Sequence, residues 1–328
     1  MSMTADQIVD RRRLRRKLAF WRVIGFLAVI VVIAVAIVAF AGSGAAPLLT
    51  QPQIARVTVS GFIAESRAET EMLDRLAKNP AVKGVVVAID STGGATTGGE
   101  ALYEGLRKLA AAKPTVATIG TFGASAAYMA AIATDHIVAR RTSITGSIGV
   151  IFQFPEISAL LDKIGVNVED IKSAPLKAEP SPFKPASPEA TAVIQGIVAD
   201  SFSWFVDIVA ERRNLPRDQA LTLADGRIYT GQQALGVKLI DEIGGEDAAI
   251  AWLGTKGIDS KLPVKDWQPT EPSRGILSYA DAALLWLAQR SGLVPDLLPG
   301  AALDGIVPES LKLDGLLSVW QGSAGGDK

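Results

Sequence analysis

Residues 84–133 read GVVVAIDSTGGATTGGEALYEGLRKLAAAKPTVATIGTFGASAAYMAAIA, and the fold class follows from this stretch. The apolar run Gly84–Ile89 ends in the turn-forming residues Ser91–Gly94, and a helical pattern occupies Gly99–Ala112. A second apolar run, Thr115–Ile119, leads into Gly123-Ala124-Ser125-Ala126-Ala127 and a further helix over Ala126–Ala133. Short β-rich runs alternating with helices of this length predict βαβ units around a buried parallel sheet, an α/β fold.

The same rhythm extends in both directions. Ile54–Val59 alternates as a strand should, a helix is expected near Glu65–Lys78, and His136–Ala139, Ile148–Phe152 and Asn167–Ile171 read as further strands. Five prolines between Pro175 and Pro188 demand an extended surface loop. Pro188–Arg213 then reads as one long helix with apolar positions at Val193, Ile197, Phe202, Phe205 and Val209, and Pro216 marks its end.

Toward the N-terminus, Arg11, Arg12, Arg13, Arg15, Arg16 and Lys17 form a cationic block, and Val23–Ala41 runs for 19 residues without a charge. At about 1.5 Å per residue a helix of that length covers roughly 28 Å, close to a bilayer's hydrocarbon thickness. The expected layout is a cytoplasmic basic segment (1–17), one transmembrane signal-anchor helix (18–41), a linker (42–53), a catalytic domain (54–257) and an accessory C-terminal segment (258–328). The basic flank places the domain on the extracytoplasmic side of a bacterial inner membrane. Ala39-Phe40-Ala41 keeps a cleaved signal peptide open as the alternative, and either reading exports the domain.

Composition removes much chemistry. The 328 residues carry 33 Lys+Arg against 34 Asp+Glu, a balance that argues against a nucleic-acid partner. Cysteine is absent, so disulfides, thiolate nucleophiles and cysteine-bound metals are excluded, and with a single histidine, His136, a multi-histidine metal site is impossible.

Two spots could carry chemistry. The loop Asp90-Ser91-Thr92-Gly93-Gly94 follows a strand and can turn backbone N–H groups toward an anion or oxyanion, or it is a plain βα turn. It lacks the Gly-Lys-Ser/Thr ending of a phosphate-binding loop. Ser125, at a sharp strand-to-helix turn between small residues, resembles a nucleophile elbow; serving as a helix N-cap is the alternative. His136 lies inside an apparent strand, which leaves a lysine as the candidate base. Lysine has a reference pKa near 10.4, so it must be desolvated to accept a proton near neutral pH. Lys177 is the first candidate and Lys172 and Lys184 its competitors; spacing does not select among them.

Four segments in order, Thr121–Tyr128 (TFGASAAY), Thr145–Val150 (TGSIGV), Lys172–Lys177 (KSAPLK) and Asp225–Gly231 (DGRIYTG) followed by Ala234-Leu235-Gly236, resemble the signal peptide peptidase A family, serine peptidase family S49. The resemblance covers roughly residues 54–250. It implies a ClpP/crotonase-like fold and a Ser-Lys dyad with Ser125 as nucleophile, Lys177 as general base and Ser147 orienting the lysine. By the same resemblance the backbone N–H of Gly93, with that of Ala126, forms the oxyanion hole. It implies no metal or organic cofactor, apolar peptides such as remnant signal peptides as substrates, and a homo-oligomer (tetramer or octamer) facing the membrane. This chain departs from the family in having Thr92 for a usual proline and Ala126-Ala127 for two usual glycines. An acyl-CoA enzyme and an inactive scaffold of the same fold are the rival readings.

Overall fold

The computed structural model describes residues 17–18, 20–27, 51–269 and 317–319. Two compact units divide between Gln51 and Pro52. In the first, residues 17–18 and 20–27 are helical and Leu18, Phe20, Trp21, Val23, Phe26 and Leu27 are exposed. The remainder of the expected anchor, residues 19 and 28–41, lies outside the described residues.

The second unit is a mixed α/β domain on a predominantly parallel sheet. The chain runs β1 (Gln53–Ile63), α1 (Arg67–Lys78), β2 (Val82–Ala95), α2 (Thr96–Ala112), β3 (Thr115–Ala124), α3 (Ala126–Ala133), β4 (His136–Ala139) and β5 (Ile144–Gly146). Then come α4 (Ser158–Lys163), α5 (Pro188–Arg213), α6 (Arg217–Leu223), β6 (Ile228–Thr230), α7 (Gly231–Gly236), β7 (Glu242–Ile243), α8 (Glu246–Thr255), β8 (Val264–Trp267) and β9 (Leu317–Val319). The sheet order is β6-β5-β3-β2-β1-β8, with β4 beside β3, β7 beside β4 and β9 beside β2. Only β5–β6 and β2–β9 pair antiparallel among the described strands.

Alternation along the strands separates two cores. Val57, Val59, Val85, Val87, Ala117 and Ile119 face the larger one, beneath α1, α2, α3 and the Phe205–Val209 half of α5. Ile54, Val86, Val116 and Val138 face the other side, against Ala249 and Leu253 of α8. Both faces are covered, which is why these strands read as continuous apolar runs. Among the described helices α5 alone is long and apolar enough to cross a membrane, yet Phe205, Val206 and Val209 are wholly buried in the domain core.

Three expectations are corrected. Ser91–Gly94 is not a turn but the end of β2, because β1 extends past a bulge to pair Phe62 with Gly93 and Ile63 with Gly94. A Cβ on Gly94 would fall 2.0 Å from the Ile63 carbonyl oxygen, so glycine permits this close pairing. Ile148–Phe152 is not a strand: Ser147, at φ 49°, turns the chain off the sheet. Asn167–Ile171 alternates in sequence but has no strand beside it and stays exposed throughout. The segment after 257 begins by completing the sheet, with Val264 opposite Ile54 in a parallel β1–β8 pair.

Candidate active site

Ser125 sits between β3 and α3 at φ 59° and ψ −123°, a region that non-glycine residues seldom occupy. Its side chain does not cap the helix, so the N-cap role is not where its hydroxyl is spent. Helix α3 is apolar all round and buried along its full length. It is anchored at both ends. Tyr128 donates its hydroxyl to the Leu239 carbonyl at 2.7 Å, and burial pushes this phenol up in pKa. At the C-terminus, Arg212 donates to the Ile132 and Thr134 carbonyls at 2.9 and 3.0 Å, and Arg107 donates to the Ala133 carbonyl at 2.8 Å. Cations at the negative end of α3 leave its positive end pointing at Ser125.

Ala126 follows, with its N–H among the helix-start donors that lack an intrahelical acceptor. Its methyl group fits because α2 presents Gly99 opposite: a Cβ there would lie 3.0 Å from the Ala126 Cβ and 2.7 Å from the Met129 Sδ.

Ser147 is brought beside this elbow. β3 and β5 pair Ala124 with Gly146, and the Ser125 N–H donates to the Gly146 carbonyl at 2.9 Å. Gly146 adopts φ 85°, and a Cβ there would meet the Tyr229 ring at 2.6 Å. The Ser147 N–H donates to the Arg227 carbonyl at 2.8 Å, and β6 pairs Ile228 with Gly146. The Asp225–Gly231 segment thus has a physical task that its sequence did not disclose: its backbone and the Tyr229 ring hold Gly146-Ser147 in a left-handed conformation. The Asp-Gly turn signal at Asp225-Gly226 was the visible clue that a tight turn precedes β6.

The glycine loop lies alongside. Gly93 has φ 117°, and its N–H donates to Ser91 Oγ at 3.1 Å, while Ser91 Oγ donates to the Gly61 carbonyl at 2.6 Å. The N–H expected to serve an oxyanion is therefore engaged by Ser91. β9 runs antiparallel along the same edge, with Gly93 opposite Val319 and Ala95 opposite Leu317.

The three candidate lysines separate sharply. Lys172 contacts Glu179 Oε1 at 2.6 Å and Asp170 Oδ2 at 3.1 Å, and Lys184 contacts the same two oxygens at 2.6 and 3.3 Å. The Glu179 hydrogen bond is the largest cause holding Lys172 above the usual lysine range. Both carboxylates are held below theirs, chiefly by Lys172 and then by Lys184. Lys177 is exposed, and its side chain makes no hydrogen bond or ion pair with another described residue. The single chain does not bring its amine into hydrogen-bonding contact with Ser125 or Ser147.

His136 takes no part. Its ring stacks on Trp252 with centroids 4.9 Å apart, and Nε2 lies 3.2 Å from Glu242. It pairs with Val116 near the start of β3, whereas Ser125 follows the far end of that strand. Among the described residues no cluster of three His, Asp or Glu side chains is placed to hold a metal ion.

Residues 107–257 match the model of peptidase family S49. A protease-named protein of Synechocystis sp. is 34% identical over 251 residues, covering 76% of this chain and 91% of that one. The chain belongs to peptidase family S49. Further relatives include the chloroplastic serine protease SPPA of Arabidopsis thaliana, 30% identical over 78% of this chain and 39% of its own length. Protease 4 of Haemophilus influenzae is 30% identical over 60% of this chain and 34% of its own. The chain thus spans about a third of these two longer proteins. The S49 match encloses Ser125, Ser147, Lys177 and the Asp225–Gly231 segment, while Gly93 lies before it.

Proposed function

We propose that this S49 peptidase is a serine endopeptidase on a ClpP/crotonase-like fold, with Ser125 as nucleophile and Lys177 as general base. The observation that carries the reading is Ser125 itself: a buried serine held in a strained turn over a helix N-terminus, with its side chain not spent on capping. Of the three lysines on the proline loop, Lys172 and Lys184 are held in ion pairs with Asp170 and Glu179, and Lys177 makes no ion pair with a described residue.

In the proposed reaction the neutral Lys177 amine takes the proton of Ser125 as the hydroxyl oxygen attacks a peptide carbonyl. The Ala126 N–H faces the developing oxyanion, and the Gly93 N–H joins it by sharing or leaving Ser91. The lysine ammonium then protonates the leaving amine, and water, deprotonated by the restored amine, hydrolyses the acyl-enzyme. Ser147 orients the Lys177 amine.

An amine in bulk water stays protonated, so Lys177 must be covered before it acts. The loop around it exposes Ile171, Leu176 and Phe183, which suits burial against a second copy of the chain, as in a tetramer or octamer. Apolar peptides, among them remnant signal peptides, suit the groove of about 660 Å³ that starts one residue beyond Ser147 and is lined by Ile148, Val150, Phe152, Ile194, Val198 and Phe202. Anchoring by residues 18–41 would place that groove at the extracytoplasmic face of the inner membrane. The deciding experiment is hydrolysis of short apolar peptides by the wild type, Ser125→Ala and Lys177→Ala. Loss in both variants, with wild-type activity rising with pH, is expected. A folded wild type that cleaves nothing and takes no label at Ser125 would favour a scaffold.

A further inference from the structure

We infer that Glu179 is a positioning residue for Lys177, its carboxylate closing the turn that displays the lysine by pairing with Lys172. The inference rests on Lys177 being the base, and the experiment below separates the two.

Lys172 and Glu179 stand five residues before and two residues after Lys177, so their contact at 2.6 Å brackets it. Within the bracket, the Lys177 N–H donates to the Ala174 carbonyl at 3.1 Å and the Glu179 N–H donates to the Leu176 carbonyl at 3.3 Å, giving two overlapping turns. Ala178, between Lys177 and Glu179, takes φ 58°, a left-handed conformation that is unfavourable for a non-glycine residue. Such a turn needs an outside constraint, and no regular element supplies one: residues 164–187 contain neither helix nor strand.

The ion cluster is that constraint. Exposed ion pairs contribute little, because solvent screens them and the long side chains lose freedom. Here the Glu179 side chain is only 6% exposed and the Lys172 side chain 15%, and Asp170 Oδ2 bridges both ammonium groups from the other side. Two cations and two anions balance, so the cluster holds the turn without adding net charge beside Lys177. Glu179 Oε2 is buried with no hydrogen-bond partner among the described residues.

Lys184 reaches the same Oε1 from outside the 172–179 bracket. This asymmetry gives a test that a generic charge cluster would fail. In the full chain, kcat and KM for an apolar peptide are measured alongside fluorophosphonate labelling of Ser125 and the thermal midpoint. Variants are Glu179→Gln, Lys172→Met, Lys184→Met and Lys177→Ala. Glu179→Gln and Lys172→Met should lower kcat by about tenfold or more with KM held within about twofold, since displacing a catalytic group by an ångström is enough. Lys184→Met should cost clearly less. Equal losses in Lys172→Met and Lys184→Met, or a loss confined to KM, would overturn the proposal. Should Glu179→Gln fail to fold, Lys172→Met decides alone. Lys177→Ala at the wild-type rate would remove the dyad, and the clamp with it. An inactive Lys177→Ala beside wild-type kcat in Glu179→Gln and Lys172→Met would remove the clamp only.

Discussion

The backbone N–H of Ser125 donates to the carbonyl of Gly146 across 2.9 Å, which ties the residue that opens α3 to the residue that precedes Ser147. Both hydroxyl-bearing residues have positive φ, at 59° and 49°, and each is held by one backbone bond, Ser125 to the Gly146 carbonyl and Ser147 to the Arg227 carbonyl. Gly146→Ala should break this relation. Its Cβ would meet the Tyr229 ring at 2.6 Å and its φ of 85° suits only glycine, so a loss of about 1–3 kcal/mol is expected. Thermal unfolding reads the loss. Peptidase activity should fall further than stability explains, because Ser147 moves with it.

Gly99 makes room for Ala126. Gly99→Ala should destabilise the domain by about 1–3 kcal/mol through overpacking between α2 and α3. Ala126→Gly in the same chain should restore part of that loss, since one of the two close contacts disappears. Strict additivity in the double-mutant cycle would show that the two residues do not meet.

β9 lies along the edge of Gly93–Ala95, where an extended peptide would pair beside the nucleophile turn. Ser318→Pro removes a backbone donor from that short strand and weakens its pairing. Higher kcat/KM on peptides is the expected result. An unchanged value would mean that β9 does not compete with substrate.

The ion cluster on the lysine loop has a defined pH window. Asp170 and Glu179 have depressed folded-state values, so their contribution is present above the ordinary carboxylate range and is lost as pH falls through the lowered values. Lys172 is raised, so its contribution is present below the ordinary lysine value and is lost only as pH rises past the raised one. Limited proteolysis within residues 170–184 should therefore be slow and flat from about pH 5 to 10 and accelerate below about pH 4. Acceleration between pH 6 and 8 would contradict this.

His136→Ala removes the stack on Trp252 and the contact with Glu242. A stability loss of about 1 kcal/mol is expected, with kcat/KM within about twofold of wild type. A large kcat loss without unfolding would bring histidine back into the mechanism.

Elements whose cause is local were legible in the chain itself. Helices 126–133 and 188–213 fall on their expected bounds because apolar content and flanking Thr, Ser, Asn and Pro mark their ends. Strands supported by alternation alone were less secure: Asn167–Ile171 alternates without a partner strand, and pairing is a tertiary event. Ser91–Gly94 failed in the opposite sense, since turn-forming residues were drawn into β2 by the extension of β1.

Sequence alone determined the α/β class, the place of Ser125 at a strand-to-helix turn and the presence of a constrained proline loop, because periodicity and chain breakers act over a few residues. Only the tertiary structure decided which lysine is unpaired, that Ser147 lies beside the Ser125 turn, and that Gly93 is already engaged by Ser91. These depend on contacts between residues far apart along the chain, and a hydrogen bond or ion pair exists only when folding brings its partners within about 3 Å.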